Sequence, residues 1–273
     1  MNQECPARIA AFFDLDGTLL AAPSLERRFF RTLRYRRAIR LKNLFSWLGE
    51  AIRVPPRGIA AMTQANKMYL RGVRVAEGES GSGSGRTHPP AGVHALLGNG
   101  RARMTIPDFF PEAIQRVAWH ASQGHAIVFV SGTLEPLAEE AARAMERQVA
   151  MRGITAEIHV IATRLEESAG SWTGRIAGVA MFGEEKARAV RKLALNWGLD
   201  LARSYAYGDT ANDRRMLAAV GRPAAVNPSG ELQRIARQHG WPEMRWSRAA
   251  SETRRRRARL QKKEALTNHT RPA

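Results

Sequence analysis

The chain has 273 residues, of which 44% are hydrophobic, and 43 Lys and Arg against 25 Asp and Glu give it a formal net charge of +18. That length suits one α/β core with a smaller insertion, and the single cysteine, Cys5, excludes an intrachain disulfide and fits a reducing compartment. No apolar run approaches the roughly 20 residues that span a bilayer, and Glu4 and Asp14 interrupt any signal-peptide core, so a cytoplasmic protein, or one peripheral to a membrane, is expected. The surplus charge favours anionic partners and says nothing of fold. It concentrates in residues 27–53 and from Arg248 onward.

In chain order, residues 9–13 read as a short buried strand running into Asp14-Leu-Asp-Gly-Thr. Residues 23–70 carry a helical pattern in which apolar residues alternate with arginines. Residues 77–92 are rich in Gly, Ser and Pro and read as a flexible linker. A helix over 111–123 follows, with Pro111 at its start and Gly124 at its close. The continuous apolar run 126–130 marks a strand buried on both faces. Ser131-Gly132-Thr133 comes next, then a helix over 135–150.

Further on, a strand over 159–162, a hairpin-like excursion over 165–181 and a helix over 184–196 are expected. A strand over 204–207 leads into Gly208-Asp209 and a helix through residue 219. A last strand (224–226) and helix (230–238) complete the pattern. Strands alternating with helices predict a parallel sheet with helices on both faces. The predicted organisation is an α/β core from residues 1–22 and 105–245, and a helical cap, 23–76, inserted after the first strand. Residues 77–104 form a flexible loop returning to the core, and 246–273 a basic, disordered tail.

Asp14 and Asp16 stand two apart at the end of an extended segment, so their side chains share a side. They lie at the carboxyl end of a strand, where open α/β sheets bind ligands. Asp209 and Asp213, four apart at a helix start, also share a face. Four carboxylates at strand ends of one sheet converge only with a cation between them, and oxygen-only ligands point to Mg2+. Lys186, in the first turn of a helix, opposes the helix dipole at a cost of a few tenths of a kcal/mol, a cost that a bound anion reverses. The Ser131 hydroxyl and the amides around it are placed to bind an anion, and Gly17 and Gly132 allow backbone to approach a ligand closely.

These residues carry a resemblance. Asp14-Leu-Asp-Gly-Thr-Leu resembles the first motif of the haloacid dehalogenase superfamily, and Ser131-Gly132-Thr133 its second. Lys186 fits the third, and Gly208-Asp209-Thr210-Ala211-Asn212-Asp213 the fourth. The similarity runs over residues 9–226 and is nearest the phosphoserine-phosphatase-like branch, subfamily IB. It implies the Rossmann-like fold of that superfamily and a phosphatase activity. Asp14 would be the nucleophile forming an aspartyl-phosphate. Asp16 would protonate the leaving oxygen and then activate water. The resemblance assigns Mg2+ to Asp14, the Asp16 backbone carbonyl and Asp209, with Asp213 in support. It assigns the phosphoryl group to Ser131, Gly132, Lys186 and Asn212. Asp16 marks phosphoryl chemistry, because the dehalogenase branch needs no acid there.

The implied partner is a small phosphorylated substrate: phosphoserine, another amino-alcohol phosphate, histidinol phosphate or a lipid phosphate. Members that recognise phosphoserine carry an acidic pair shortly after the first motif, whereas this chain has one acid there, Glu26. Residues 27–53 read either as the cap or as a basic amphipathic helix on anionic lipid, with the cap preferred. The basic tail reads as solvated, or as a weak attachment to nucleic acid or membrane. An alternative for the whole chain is a polyanion- or membrane-binding protein with a vestigial phosphatase core. His120, His125 and His159 lack metal-ligand spacing and receive no role.

Overall fold

The structure, a computed structural model, describes residues 8–35, 67–73, 106 and 108–247. Six parallel strands make the main sheet: β1 (Ala10–Phe13), β2 (Ala126–Leu134), β3 (Ile158–Thr163), β6 (Tyr205–Gly208), β7 (Arg222–Val226) and β8 (Glu243–Met244). Their order is β3-β2-β1-β6-β7-β8. Ala11 and Phe13 pack into one apolar cluster and Ala10 and Phe12 into another, the alternation of a strand covered on both faces. Helices α2 (Pro111–Ser122) and α3 (Glu135–Ala150) contribute Val117, Leu137 and Met145 to the first cluster. Helices α4 (Glu184–Trp197) and α6 (Gly230–His239) contribute Val190, Leu193 and Leu232 to the second. The predicted α/β fold is thus observed. The chain builds outward from β1 through β2 to β3, then crosses to β6 on the other side. This reversal of strand order puts a ligand crevice at the carboxyl ends of β1 and β6.

The excursion after β3 is an antiparallel hairpin of β4 (Leu165–Ser168) and β5 (Ser171–Ile176). It stands apart from the main sheet and packs on the segment 67–73, where Met68–Leu70 form a 3-10 turn. The Gly72 amide donates to the Trp172 carbonyl (2.8 Å) and the Trp172 amide to the Val73 carbonyl (3.0 Å). Gly174, at φ +84°, permits the approach: a Cβ there would lie 2.9 Å from Met68 Cα. Helix α1 (Leu25–Tyr35), the described start of the predicted cap, meets the same hairpin through Phe29, whose ring lies edge-on to Trp172.

Three local expectations change. Strand β2 runs on through Ser131-Gly132-Thr133 to Leu134. Its pairing with β3 resumes after a register shift between Ser131 and Leu134, and Thr163 Oγ1 donates to the Gly132 carbonyl (2.9 Å) across that irregularity. The helix expected through residue 219 is a 3-10 turn, Ala211–Asp213, followed by the single-turn α5 (Arg214–Leu217). Strand β8, two residues long, carries no periodic signal and was not expected. The linker 77–104, most of the 27–53 segment and the tail from Arg248 lie outside the described residues.

Candidate active site

The carboxylates are placed by their own backbone. As β1 ends, the Asp14 amide donates to the Tyr207 carbonyl of β6 (3.0 Å), which fixes Asp14 between the two strand ends. The chain then turns at Gly17 (φ +97°), a left-handed conformation that side chains rarely adopt. A Cβ at Gly17 would stand 1.9 Å from Asp209 Oδ2, so the turn needs glycine twice over. Asp16 Oδ1 accepts the Leu25 amide at the start of α1 (2.8 Å), which ties the first motif to that helix. Asp213 closes a capping box: its Oδ2 accepts from the Thr210 amide (3.0 Å) and the Thr210 hydroxyl (3.1 Å), leaving Oδ1 to face the crevice.

Lys186, buried at 3% exposure in the first turn of α4, places Nζ 2.6 Å from both Asp14 Oδ1 and Asp213 Oδ1. Thr18, fully buried, lies within 3.5 Å of Asp14 and Asp209. Ligand oxygens of Asp14, Asp209 and Asp213 all lie within 4.8 Å of one another. One lysine against three clustered carboxylates is an unbalanced charge set, in a buried place that itself disfavours charge. Burial pushes Asp14 up to about 7, with Asp213 and Asp16 adding to the rise and Lys186 opposing it. Burial, then the charges of Asp14 and Asp213, push Asp209 up to about 8. Asp16 is raised to about 6 by burial, against the pull of the Leu25 amide. Burial by itself would lower Lys186; Asp14 and Asp213 outweigh it and hold the ammonium above its ordinary value. Hard carboxylate oxygens short of positive charge suit a small divalent cation such as Mg2+.

A cavity of about 670 Å³ opens over this cluster. Its lining includes Asp14, Asp16, Ser131, Gly132, Lys186, Asp209, Asn212 and Asp213, so the four sequence motifs meet in one place. Gly132 is required there by close packing, since a Cβ would meet the Phe182 ring at 2.0 Å. Sequence reading missed Thr18, although it belongs to the first motif. It also missed Lys67, Tyr69 and Phe182, which line the cavity from segments that carry no motif. His120 sits elsewhere: its Nδ1 lies 2.8 Å from His125 Nδ1 and its Nε2 2.9 Å from the Tyr207 hydroxyl. Burial pushes it down to about 3, so it stays neutral within the core.

Comparison with known proteins agrees with this geometry. The profile of the haloacid dehalogenase-like hydrolases matches residues 11–218. A probable phosphatase of Mycobacterium tuberculosis is 32% identical over 249 residues, covering 90% of this chain and 78% of that protein. A phosphoserine phosphatase of the same species is 29% identical, over 85% of this chain and 69% of its own. A crystal structure of a Bordetella pertussis protein of unknown function superposes with a TM-score of 0.59 at 27% identity, over 87% of this chain and 98% of that one. The chain therefore belongs to the haloacid dehalogenase-like hydrolases and, with phosphatases among its relatives, is an enzyme of the phosphatase type.

Proposed function

We propose that the protein hydrolyses a small phosphate monoester in a Mg2+-dependent reaction that passes through an aspartyl-phosphate on Asp14. The observation that carries this reading is the convergence of Asp14, Asp209 and Asp213 around Lys186 beneath an open cavity. Residues 23–76 serve as a cap over a core made of residues 1–22 and 105–245. Phosphoserine or another amino-alcohol phosphate is the substrate suggested by the phosphoserine phosphatase among the relatives.

In the first step an Asp14 carboxylate oxygen attacks phosphorus and the bond to the leaving oxygen breaks. Asp16, whose raised pKa keeps a proton available near pH 6, protonates that oxygen. In the second step Asp16 takes a proton from water as the water oxygen attacks phosphorus, releasing phosphate and restoring Asp14. Ser131, the backbone at Gly132, Lys186 and Asn212 hold the phosphoryl oxygens in line. Asp14, Asp209 and Asp213, with the Asp16 backbone carbonyl, would hold Mg2+, which when bound neutralises charge on the phosphoryl group. The test is phosphate release from a panel of monoesters with and without Mg2+. Wild type should turn over only with the metal, and Asp14→Asn should fold but release no phosphate. Equal rates in the two proteins would remove Asp14 from the mechanism.

No described feature favours the alternative of a polyanion-binding protein with a vestigial core, since the carboxylate set is complete. Among the described residues no helix is long and apolar enough to cross a membrane.

A further inference from the structure

The phosphoryl site is assembled from two segments, Ser131 and Gly132 on β2 and Lys186 on α4. The regular pairing of β2 with β3 lapses between Ser131 and Leu134, where Gly132 lies. After β3 the chain leaves on the β4–β5 hairpin, and Met181, 18 residues beyond Thr163, leads into Phe182, Gly183 and α4. Thr163, fully buried as the last residue of β3, bonds to both segments. Its Oγ1 donates to the Gly132 carbonyl at 2.9 Å and accepts the Met181 amide at 3.1 Å.

Each of these contacts controls a group that the phosphoryl chemistry uses. Ser131 Oγ accepts the Thr133 amide at 3.2 Å, so its place follows the bend of residues 131–133, whose middle carbonyl Thr163 holds. A serine hydroxyl that accepts on its oxygen keeps its proton to donate into the cavity. On the other side, Met181 fixes the lead into the first turn of α4, where Lys186 stands. Phe182 lies between them and packs on Gly132, where a Cβ would meet its ring at 2.0 Å. Thr163 itself does not line the cavity, so any effect it has on catalysis passes through its partners. Donating and accepting through one atom is a property of a hydroxyl, and valine, of similar shape, has neither capacity.

We infer that Thr163 is a positioning residue for phosphoryl transfer, its hydroxyl setting the separation between the Ser131–Gly132 side and the Lys186 side of the site. The inference rests on the phosphatase reading and adds to it a residue outside the four sequence motifs. Displacing a positioning group by about 1 Å costs up to about 100-fold in rate. The contacts weakened are those that tighten as the phosphoryl group transfers, so the loss falls on kcat more than on KM.

The test is Mg2+-dependent hydrolysis of p-nitrophenyl phosphate by wild type, Thr163→Val and Thr163→Ser, with Tm measured for each so that rates are read on folded protein. Thr163→Val should lower kcat by about 10–100-fold with a smaller change in KM. It should weaken inhibition by orthovanadate, which mimics the transferring phosphoryl group, by a similar factor, and inhibition by inorganic phosphate by less than about threefold. Thr163→Ser lacks the methyl group but keeps the bridge, so its kcat should stay within about threefold of wild type even though its Tm is lower. The Mg2+ concentration for half-maximal activity should be the same in all three, because neither hydrogen bond of Thr163 Oγ1 involves a carboxylate. Thr163→Cys, whose thiol is a weak donor and acceptor, repeats the valine comparison if Thr163→Val does not fold. A valine or cysteine variant with wild-type kcat and only a lowered Tm would overturn the inference. A serine variant as impaired as the valine one would also overturn it and leave Thr163 a packing role. In both cases wild-type turnover leaves the phosphatase reading standing. No Mg2+-dependent turnover by wild type would instead overturn that reading, and the inference with it.

Discussion

Replacing Lys186 with methionine should destabilise the metal-free protein, and the loss should depend on pH. Lys186 is 3% exposed and bridges Asp14 and Asp213 at 2.6 Å each. Methionine fills similar volume but leaves two buried carboxylates facing each other without a cation. Removing one partner of a buried ion pair costs about 3–5 kcal/mol, which for a domain of this size lowers Tm by roughly 6–20 °C. Protonation relieves that cost. Asp14 already titrates near 7 in the folded state, above its ordinary 3.8, through burial and the neighbouring carboxylates. A raised carboxylate means that the folded state binds more protons than the unfolded one between those two values, so stability falls as pH rises through that window. Loss of Lys186 pushes Asp14 higher still. The deficit of Lys186→Met should therefore be small at pH 5, larger by about 1 kcal/mol or more at pH 8, and still growing above it. Calorimetry in the presence of a chelator, wild type against variant, reads it directly. An equal deficit at both pH values would refute the electrostatic account and assign Lys186 a packing role.

Three further outcomes follow from the same geometry. Asp209→Asn should stabilise the metal-free protein above pH 8 by about 1 kcal/mol, or roughly 2–4 °C in Tm, by removing one of three crowded charges. The gain should vanish at pH 5, where Asp209 already carries a proton in the folded state, and turnover should be lost at every pH. Gly17→Ala places a Cβ against Asp209 Oδ2; it should raise the Mg2+ concentration for half-maximal activity more than tenfold, measured by metal titration of phosphate release. In wild type, Mg2+ competes with the protons on Asp14 and Asp209, so the same half-saturation value should rise several-fold per unit as pH falls below about 7; a pH-independent value would contradict the assignment of these ligands.

Much of this site could be read in the chain because Asp14, Ser131 and Asp209 each follow a short apolar run, and parallel topology brings the carboxyl-terminal parts of β1, β2 and β6 together. What escaped was set by tertiary contact. The extension of β2 through Gly132 depends on Thr163 of the neighbouring strand, not on local propensity. The helix expected after Asp209 is divided into a 3-10 turn, capped by Asp213 Oδ2 at Thr210, and the one-turn α5. Lys67 lies 41 residues from Glu26 in a basic segment, and nothing local distinguishes it from a solvated lysine. Glu26, the single acid that follows the first motif, is engaged by Lys67, a contact that local sequence does not signal.

The central claim is that Asp14 attacks phosphorus. The most direct measurement is mass spectrometry of protein quenched in acid during turnover with Mg2+ and a hydrolysable ester, followed by proteolysis and peptide mapping. The account predicts a phosphoryl adduct on the peptide bearing Asp14 in wild type and none in Asp14→Asn. An adduct on another residue, or turnover persisting in Asp14→Asn, would contradict it.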